Sequence, residues 1–135
     1  MSTSSLVADA VAGRLAQFVS RMREESADYG PDAADFLAAA SDTLTGGKRL
    51  RARFCHAGWR AVARAANRDA VEGTALWDLC AALEIFQSAA LVHDDIIDNS
   101  DTRRGRPAAH RALESFHRTA RWEGDARDFG RSAAI

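Results

Sequence analysis

Three aspartates close an apolar helical run, Leu83-Glu84-Ile85-Phe86-Gln87-Ser88-Ala89-Ala90-Leu91-Val92-His93-Asp94-Asp95-Ile96-Ile97-Asp98. At about 100° per residue, Asp94 and Asp98 fall one turn apart on one face, with Gln87 and Leu91 below them, while Asp95 turns to the neighbouring face. Two aspartates at i and i+4 repel each other and weaken a helix unless a cation lies between them. Hard carboxylate oxygens, with no Cys and no obligatory His, favour magnesium over zinc, and magnesium keeps several waters and binds substrate phosphates. The chemistry predicted is therefore magnesium-assisted handling of a phosphate ester or diphosphate. Arg103-Arg104-Gly105-Arg106-Pro107 follows closely. Guanidinium groups grip phosphate oxygens bidentately, so these arginines are placed to hold the same anion from its other side.

A second basic stretch, Leu44-Thr45-Gly46-Gly47-Lys48-Arg49-Leu50-Arg51, comes earlier in the chain. Paired glycines permit backbone angles that other residues avoid and let the main chain approach a ligand. The next helix is expected to start near Lys48, placing Lys48 and Arg51 on one face of its first turn, where exposed N–H groups favour an anion. A Walker A loop is excluded, because its spacing would need Gly at Asp42 and Ser or Thr at Arg49. Taken alone, the stretch is equally well a glycine turn leading into a solvated basic helix.

The elements that must position these groups all read as helices. Residues 1–5 are small and polar and are expected to be a disordered tail, with residues 6–135 forming part of a single domain. Leu6, Val7, Val11, Leu15, Phe18, Val19 and Met22 recur at three and four, an amphipathic helix ending near Ser26. Tyr29-Gly30-Pro31 breaks it, and Pro31 or Asp32 opens a short helix through Phe36, Leu37 and Ala40. From Leu50 a third helix carries Phe54, Cys55, Gly58, Ala61, Val62 and Ala65, with Arg53, Arg60 and Arg64 on its wet side; Asn67-Arg68-Asp69 separates it from the run that becomes the central helix. After Pro107, His110, Leu113 and Phe116 predict one more short helix, followed by a polar, glycine-punctuated stretch from Arg118 to Gly130. Nothing alternates with the period of a strand, so the fold class is all-α.

Composition narrows the partners. With a net charge of −1, no overall field recruits nucleic acid or an anionic membrane. Cys55 and Cys80 fall inside apolar helical patterns, which points to core packing in a reducing, cytoplasmic compartment. The central helix, interrupted by Glu84 and Gln87, reads as too short and too polar for stable membrane insertion.

Taken in order, Gly46-Gly47-Lys48-Arg49-Leu50-Arg51, Gln87, Asp94-Asp95-Ile96-Ile97-Asp98 and Arg103-Arg104-Gly105 resemble the motifs of the trans-type polyprenyl diphosphate synthases. The resemblance covers nearly all of this chain but less than half of a family member. It implies the N-terminal portion of an isoprenoid-synthase-type helical bundle, and magnesium-dependent condensation of isopentenyl diphosphate with an allylic diphosphate, in a homodimer when complete. It implies that Asp94 and Asp98 bind the magnesium ions that hold the allylic diphosphate, with Asp95 in support and Arg103 contacting that diphosphate. Lys48, Arg51 and Arg104 match the positions that hold isopentenyl diphosphate, Gly47 gives close backbone approach, and Gln87 falls where the family has His or Gln. Ala90 and Ala89, four and five residues before Asp94, match the positions that set product length. Both are small, which implies a product longer than farnesyl, with Phe86 one turn deeper as a stop.

The chain departs from the family in one respect. A second aspartate-rich motif on a later helix is missing, and Asp125 and Asp128 have the wrong spacing to replace it. That predicts a shortened gene product or proteolytic fragment, inactive alone, with apolar sides of the central helix exposed. Two other readings compete. His93-Asp94, with His56 upstream, is also the dipeptide of metal-dependent HD phosphohydrolases, although that reading leaves the basic motifs unexplained. Terpene cyclases share the aspartate helix but have no isopentenyl diphosphate site. A non-catalytic role, as partner subunit of a prenyl synthase, is the third alternative.

Overall fold

The computed structural model describes residues 3–66 and 72–135. Six α-helices and one small hairpin run through the described residues: α1 Thr3–Glu25, α2 Pro31–Thr43, α3 Leu50–Ala65, α4 Thr74–Ile97, β1 Thr102–Arg103, β2 Arg106–Pro107, α5 Ala109–Ala120 and α6 Ala126–Ala133. The all-α class is borne out. Of the tail expected at residues 1–5, residues 1–2 lie outside the described residues and Thr3 to Ser5 already belong to α1. The separator expected at Asn67-Arg68-Asp69 also lies outside them.

The chain divides into two compact units, Met1–Glu24 with Gly46–Phe86, and Glu25–Thr45 with Gln87–Ile135. In the first, Val7, Val11 and Leu15, one turn apart on α1, pack with Ala52 of α3 and with Leu76, Cys80 and Ala81 of α4. Cys55, Trp59, Trp77 and Ile85 close the edges of this core. Each such aliphatic side chain contributes about 1.5–3 kcal/mol when fully buried. His56 is buried here too, with a ring nitrogen 2.7 Å from Glu72 and its ring stacked on Trp77. Arg53 and Arg60, both half-buried, and the exposed Arg64 line an open groove on α3, whereas Phe54 and Val62, expected on its packed side, are 74% and 70% exposed.

In the second unit, α2 opens with Pro31 behind Gly30, whose φ of 86° suits glycine. His110, Leu113, Glu114 and His117 form the buried stripe of α5. The polar, glycine-punctuated stretch, for which no helix is expected, contains one: the Asp125 carboxylate accepts from the N–H groups of Arg127 at 2.8 Å and Asp128 at 2.9 Å and so starts α6. Gly130 lets α6 approach α5 closely, because a Cβ there would collide with the His110 carbonyl oxygen and with Glu114. Phe116, His117, Trp122 and Phe129 meet mostly edge to face at 5.0–5.9 Å and lock the pair.

The 24-residue α4 corrects one expectation. With a mean hydropathy of 1.4 over its most apolar stretch, it is long and apolar enough to cross a membrane, a test that core helices of soluble proteins also pass. Only 28% of that stretch is buried, and Leu79 and Phe86 are 54% and 73% exposed.

Candidate functional site

The carboxylate end of α4 is built by its own termination. Asp98 lies one residue past the helix, yet its N–H donates to the Asp94 carbonyl at 2.8 Å, so the one-turn relation between the two aspartates is kept. Asn99 then takes a left-handed conformation with φ of 52°. The N–H of Ser100 donates to Asp95 O at 2.9 Å and that of Asn99 to Ile96 O at 3.3 Å. This paired pattern is a Schellman ending with Asn in place of Gly. Arg131 and Arg127 of α6 add donors at the same end, to Ile96 O at 3.4 Å and Asn99 Oδ1 at 3.3 Å.

Helical geometry separates the three carboxylates as the sequence predicts. Asp94 and Asp98 are exposed, and neither side chain takes a hydrogen bond or ion pair among the described residues. Asp95 is only 2% exposed and accepts from Arg103 through both oxygens, from Nε at 2.6 Å and Nη2 at 2.6 Å. The bond to Asp95, with the nearby charges of Asp94 and Asp98, holds Arg103 above the ordinary arginine pKa. The Arg103 side chain is still 38% exposed, so the rest of its donor fork faces solvent beside the carboxylates.

A tight hairpin aims the arginines. Arg104 and Gly105 both have positive φ, 53° and 76°, between paired Arg103 and Arg106, the signature of a two-residue type I′ turn. This hairpin was not read from the sequence. Its only signal is Gly105 beside short flanks, because Arg104 is an uncommon first turn residue. Arg104 Nη1 donates to Thr45 O at 2.7 Å, which ties the hairpin to the residue before Gly46. Nearby, Ser88 donates to Thr43 Oγ1 at 2.8 Å, and Gln87 is half-buried. A cavity of about 120 Å³ in this unit is lined by Phe36, Thr43, Ala89, His93, Leu113 and Ile135 among others. Of the two small residues before Asp94, Ala89 reaches its wall and Ala90 does not.

The basic loop differs from expectation at its helix start. Gly46 and Gly47 take φ of 69° and 87°, but Arg49 is also left-handed, at 49°, and is the N-cap of α3. The helix therefore begins at Leu50, not near Lys48, and Lys48 and Arg51 flank its start, both exposed. Sequence reasoning missed Glu84, a half-buried carboxylate on α4 whose Oε1 accepts from the N–H of Ala52 at 3.1 Å. The signal was a carboxylate interrupting an apolar helix.

Among the described residues no group of three or more His, Cys, Asp or Glu side chains forms a metal cluster. Magnesium does not require one: it commonly uses one or two carboxylates together with substrate phosphates and water, and the exposed, unpaired Asp94 and Asp98 fit that demand. The HD phosphohydrolase reading finds no support in the geometry, because His56 is engaged by Glu72 and His93 Nδ1 lies 2.8 Å from its own helix's Ala89 O.

Comparison with known proteins identifies the family. The chain is 39% identical over 87 residues to heptaprenyl diphosphate synthase component 2 of Geobacillus stearothermophilus, covering 63% of this chain and 23% of that protein. It is 39% identical over 68 residues to octaprenyl diphosphate synthase of Escherichia coli, covering 50% and 19%. A crystal structure of geranylgeranyl pyrophosphate synthase from Corynebacterium glutamicum, complexed with isoprenyl diphosphate and magnesium, superposes with a TM-score of 0.87 at 39% identity. That match covers 100% of this chain and 38% of the other. The chain thus spans about a quarter or less of the curated relatives named here. The family model for polyprenyl synthetase matches residues 34–126, a stretch that holds the glycine-basic loop, the aspartates and the arginine hairpin, and the chain belongs to the polyprenyl synthetase family.

Proposed function

We propose that this chain is the N-terminal part of an enzyme that condenses isopentenyl diphosphate with an allylic diphosphate. The observation that carries the reading is the division of labour at the end of α4. Asp94 and Asp98 stay exposed and unpaired one turn apart, while Asp95 turns inward and fixes Arg103. Asp94 and Asp98 would hold magnesium, which when bound supplies positive charge to a departing diphosphate. Arg103, held by Asp95, presents its remaining donors to that anion and stabilises the charge that develops as the allylic C–O bond breaks. Lys48, Arg51 and Arg104 hold the isopentenyl diphosphate, with Gly47 allowing close backbone approach and Gln87 positioning the substrate. Ala89 and Ala90 leave room for a product longer than farnesyl, with Phe86 limiting further growth. In a complete protein, Ala89→Phe is expected to shorten the main product, and an unchanged chain length on product chromatography would remove that assignment. The free thiols Cys55 and Cys80 support a cytoplasmic, reducing location: burial, followed by a hydrogen bond with Cys55, pushes the Cys80 thiol up to about 12.

The test is a magnesium-dependent calorimetric titration with a non-hydrolysable allylic diphosphate analogue, run beside Asp94→Ala. Binding that needs both magnesium and Asp94 is the expected result, and binding indifferent to either refutes the reading. The 135-residue chain alone is expected to turn over no substrate, because it contains no second aspartate-rich motif; turnover above a magnesium-free control refutes that. A non-catalytic role as a partner subunit is favoured by two observations: the relative whose name marks it as component 2, and the exposed Leu79 and Phe86 on α4. Self-association without diphosphate binding would support it, as either a homodimer or a subunit of a larger assembly.

A further inference from the structure

We propose that Glu84 is a positioning residue for the isopentenyl diphosphate subsite, setting the start of α3 so that Lys48 and Arg51 are presented to the ligand. The inference rests on the function proposed above and extends it to a residue that touches no ligand. Helix α3 begins without help from its own N-cap, since Arg49 is left-handed and makes no side-chain cap hydrogen bond. The first N–H groups of a helix have no partner within the helix. Glu84, arriving from α4, takes the N–H of Ala52 at 3.1 Å, the third residue of α3. Its other oxygen lies 3.7 Å from Arg49 Nη1, with the two side chains 10% and 12% exposed. A single carboxylate therefore engages both the cap residue, next to Lys48, and the first helical turn, next to Arg51.

Ala52 is held from two sides. Ala52 is fully buried in the core, and its carbonyl accepts from the Cys80 thiol at 3.5 Å, so the same residue is held at both its N–H and its C=O by α4. A carboxylate at a helix N-terminus is also favoured by the helix dipole. That end of α3 had been expected to favour a substrate anion, yet part of its donor capacity is already taken by Glu84. The N–H groups of Leu50 and Arg51 also precede the first i−4 bond of the helix, while Lys48 and Arg51, both exposed, supply the charge. Glu84 thus divides the helix start into a structural half and a ligand half.

The test follows amide signals by NMR in the 135-residue chain during titration with isopentenyl diphosphate, for wild type, Glu84→Ala, Glu84→Gln and Lys48→Ala. Circular dichroism establishes that each variant is folded at the titration temperature. In wild type, the amides from Lys48 to Arg51 are expected to shift on titration, and Lys48→Ala is expected to weaken binding. Glu84→Ala is expected to accelerate hydrogen exchange at Ala52 and to weaken binding about five- to tenfold, the ratio that loss of one helix cap corresponds to. Glu84→Gln keeps an acceptor for Ala52 and is expected to bind within about twofold of wild type. A folded Glu84→Ala chain that binds like wild type overturns the proposal while leaving the function standing. If Glu84→Gln binds as weakly as Glu84→Ala, the cap is not what positions the loop, and the proposal also falls. Wild type that shows no shift, or is unaffected by Lys48→Ala, overturns the proposal together with the function beneath it.

Discussion

Removing Arg103 should cost more than neutralising Asp95, although the two share one interaction. Asp95 is 2% exposed, whereas the Arg103 side chain is 38% exposed. Arg103→Ala strands a carboxylate away from water and deletes two charge-assisted hydrogen bonds of 2.6 Å. Breaking a buried ion pair by deleting one partner costs about 3–5 kcal/mol, and the partial exposure of the guanidinium places this case near the lower end, about 3 kcal/mol. Asp95→Asn keeps one of the two acceptors, turns the other into a donor that opposes the guanidinium, and frees an arginine that can turn to solvent, so its cost is that of one lost and one weakened hydrogen bond, about 1–2 kcal/mol. The assay is urea unfolding of each variant, followed by circular dichroism at neutral pH, with the slope checked for constancy. A cost for Asp95→Asn that equals or exceeds that for Arg103→Ala would refute the reasoning, because the asymmetry of burial would then have no energetic meaning.

Other consequences are open to similar tests. Gly130→Ala should destabilise the chain by about 1–3 kcal/mol, since the added methyl meets backbone of α5 rather than a movable side-chain end; an unchanged urea midpoint would contradict this. Asp125→Ala should cost about 1 kcal/mol by leaving the Arg127 and Asp128 N–H groups uncapped, and Asp125→Asn should recover most of it. Burial, assisted by Arg111 and Arg131 and opposed by Asp95 and Asp101, holds His110 below its ordinary pKa of 6.5. The unfolded chain then binds the extra proton, so this contribution to stability is full above 6.5 and declines as pH falls below it. Urea midpoints between about pH 7.5 and about pH 5.5 should fall less steeply for His110→Asn than for wild type, and parallel slopes would exclude the role.

The sequence made the helical elements and the aspartate pair legible because both rest on periodicity. Asp94 and Asp98 share a face for the same reason that Val7, Val11 and Leu15 do, and one turn of helix separates each neighbouring pair. The misses come from interactions with no period. The type I′ turn at Arg104-Gly105 depends on two successive positive φ values, one carried by an arginine that propensity disfavours. Helix α6 was hidden by its polar composition, although Asp125 followed three residues later by Asp128 is a recognisable start. The start of α3 moved from Lys48 to Leu50 because Arg49 is left-handed and a carboxylate 32 residues away completes the cap. No local pattern encodes a partner at that distance.

The placement of Asp98 gives the aspartate pair unequal mechanical character. Asp94 belongs to the body of a 24-residue helix, while Asp98 lies beyond its end, with its N–H donating to the Asp94 carbonyl. One carboxylate is thus carried by the helix body and the other by the first residue of a turn. Helix ends open more easily than helix interiors. Anything that bridges the two carboxylates therefore also staples that end shut, so that a ligand at this end would be read as slower opening of the last turn of α4.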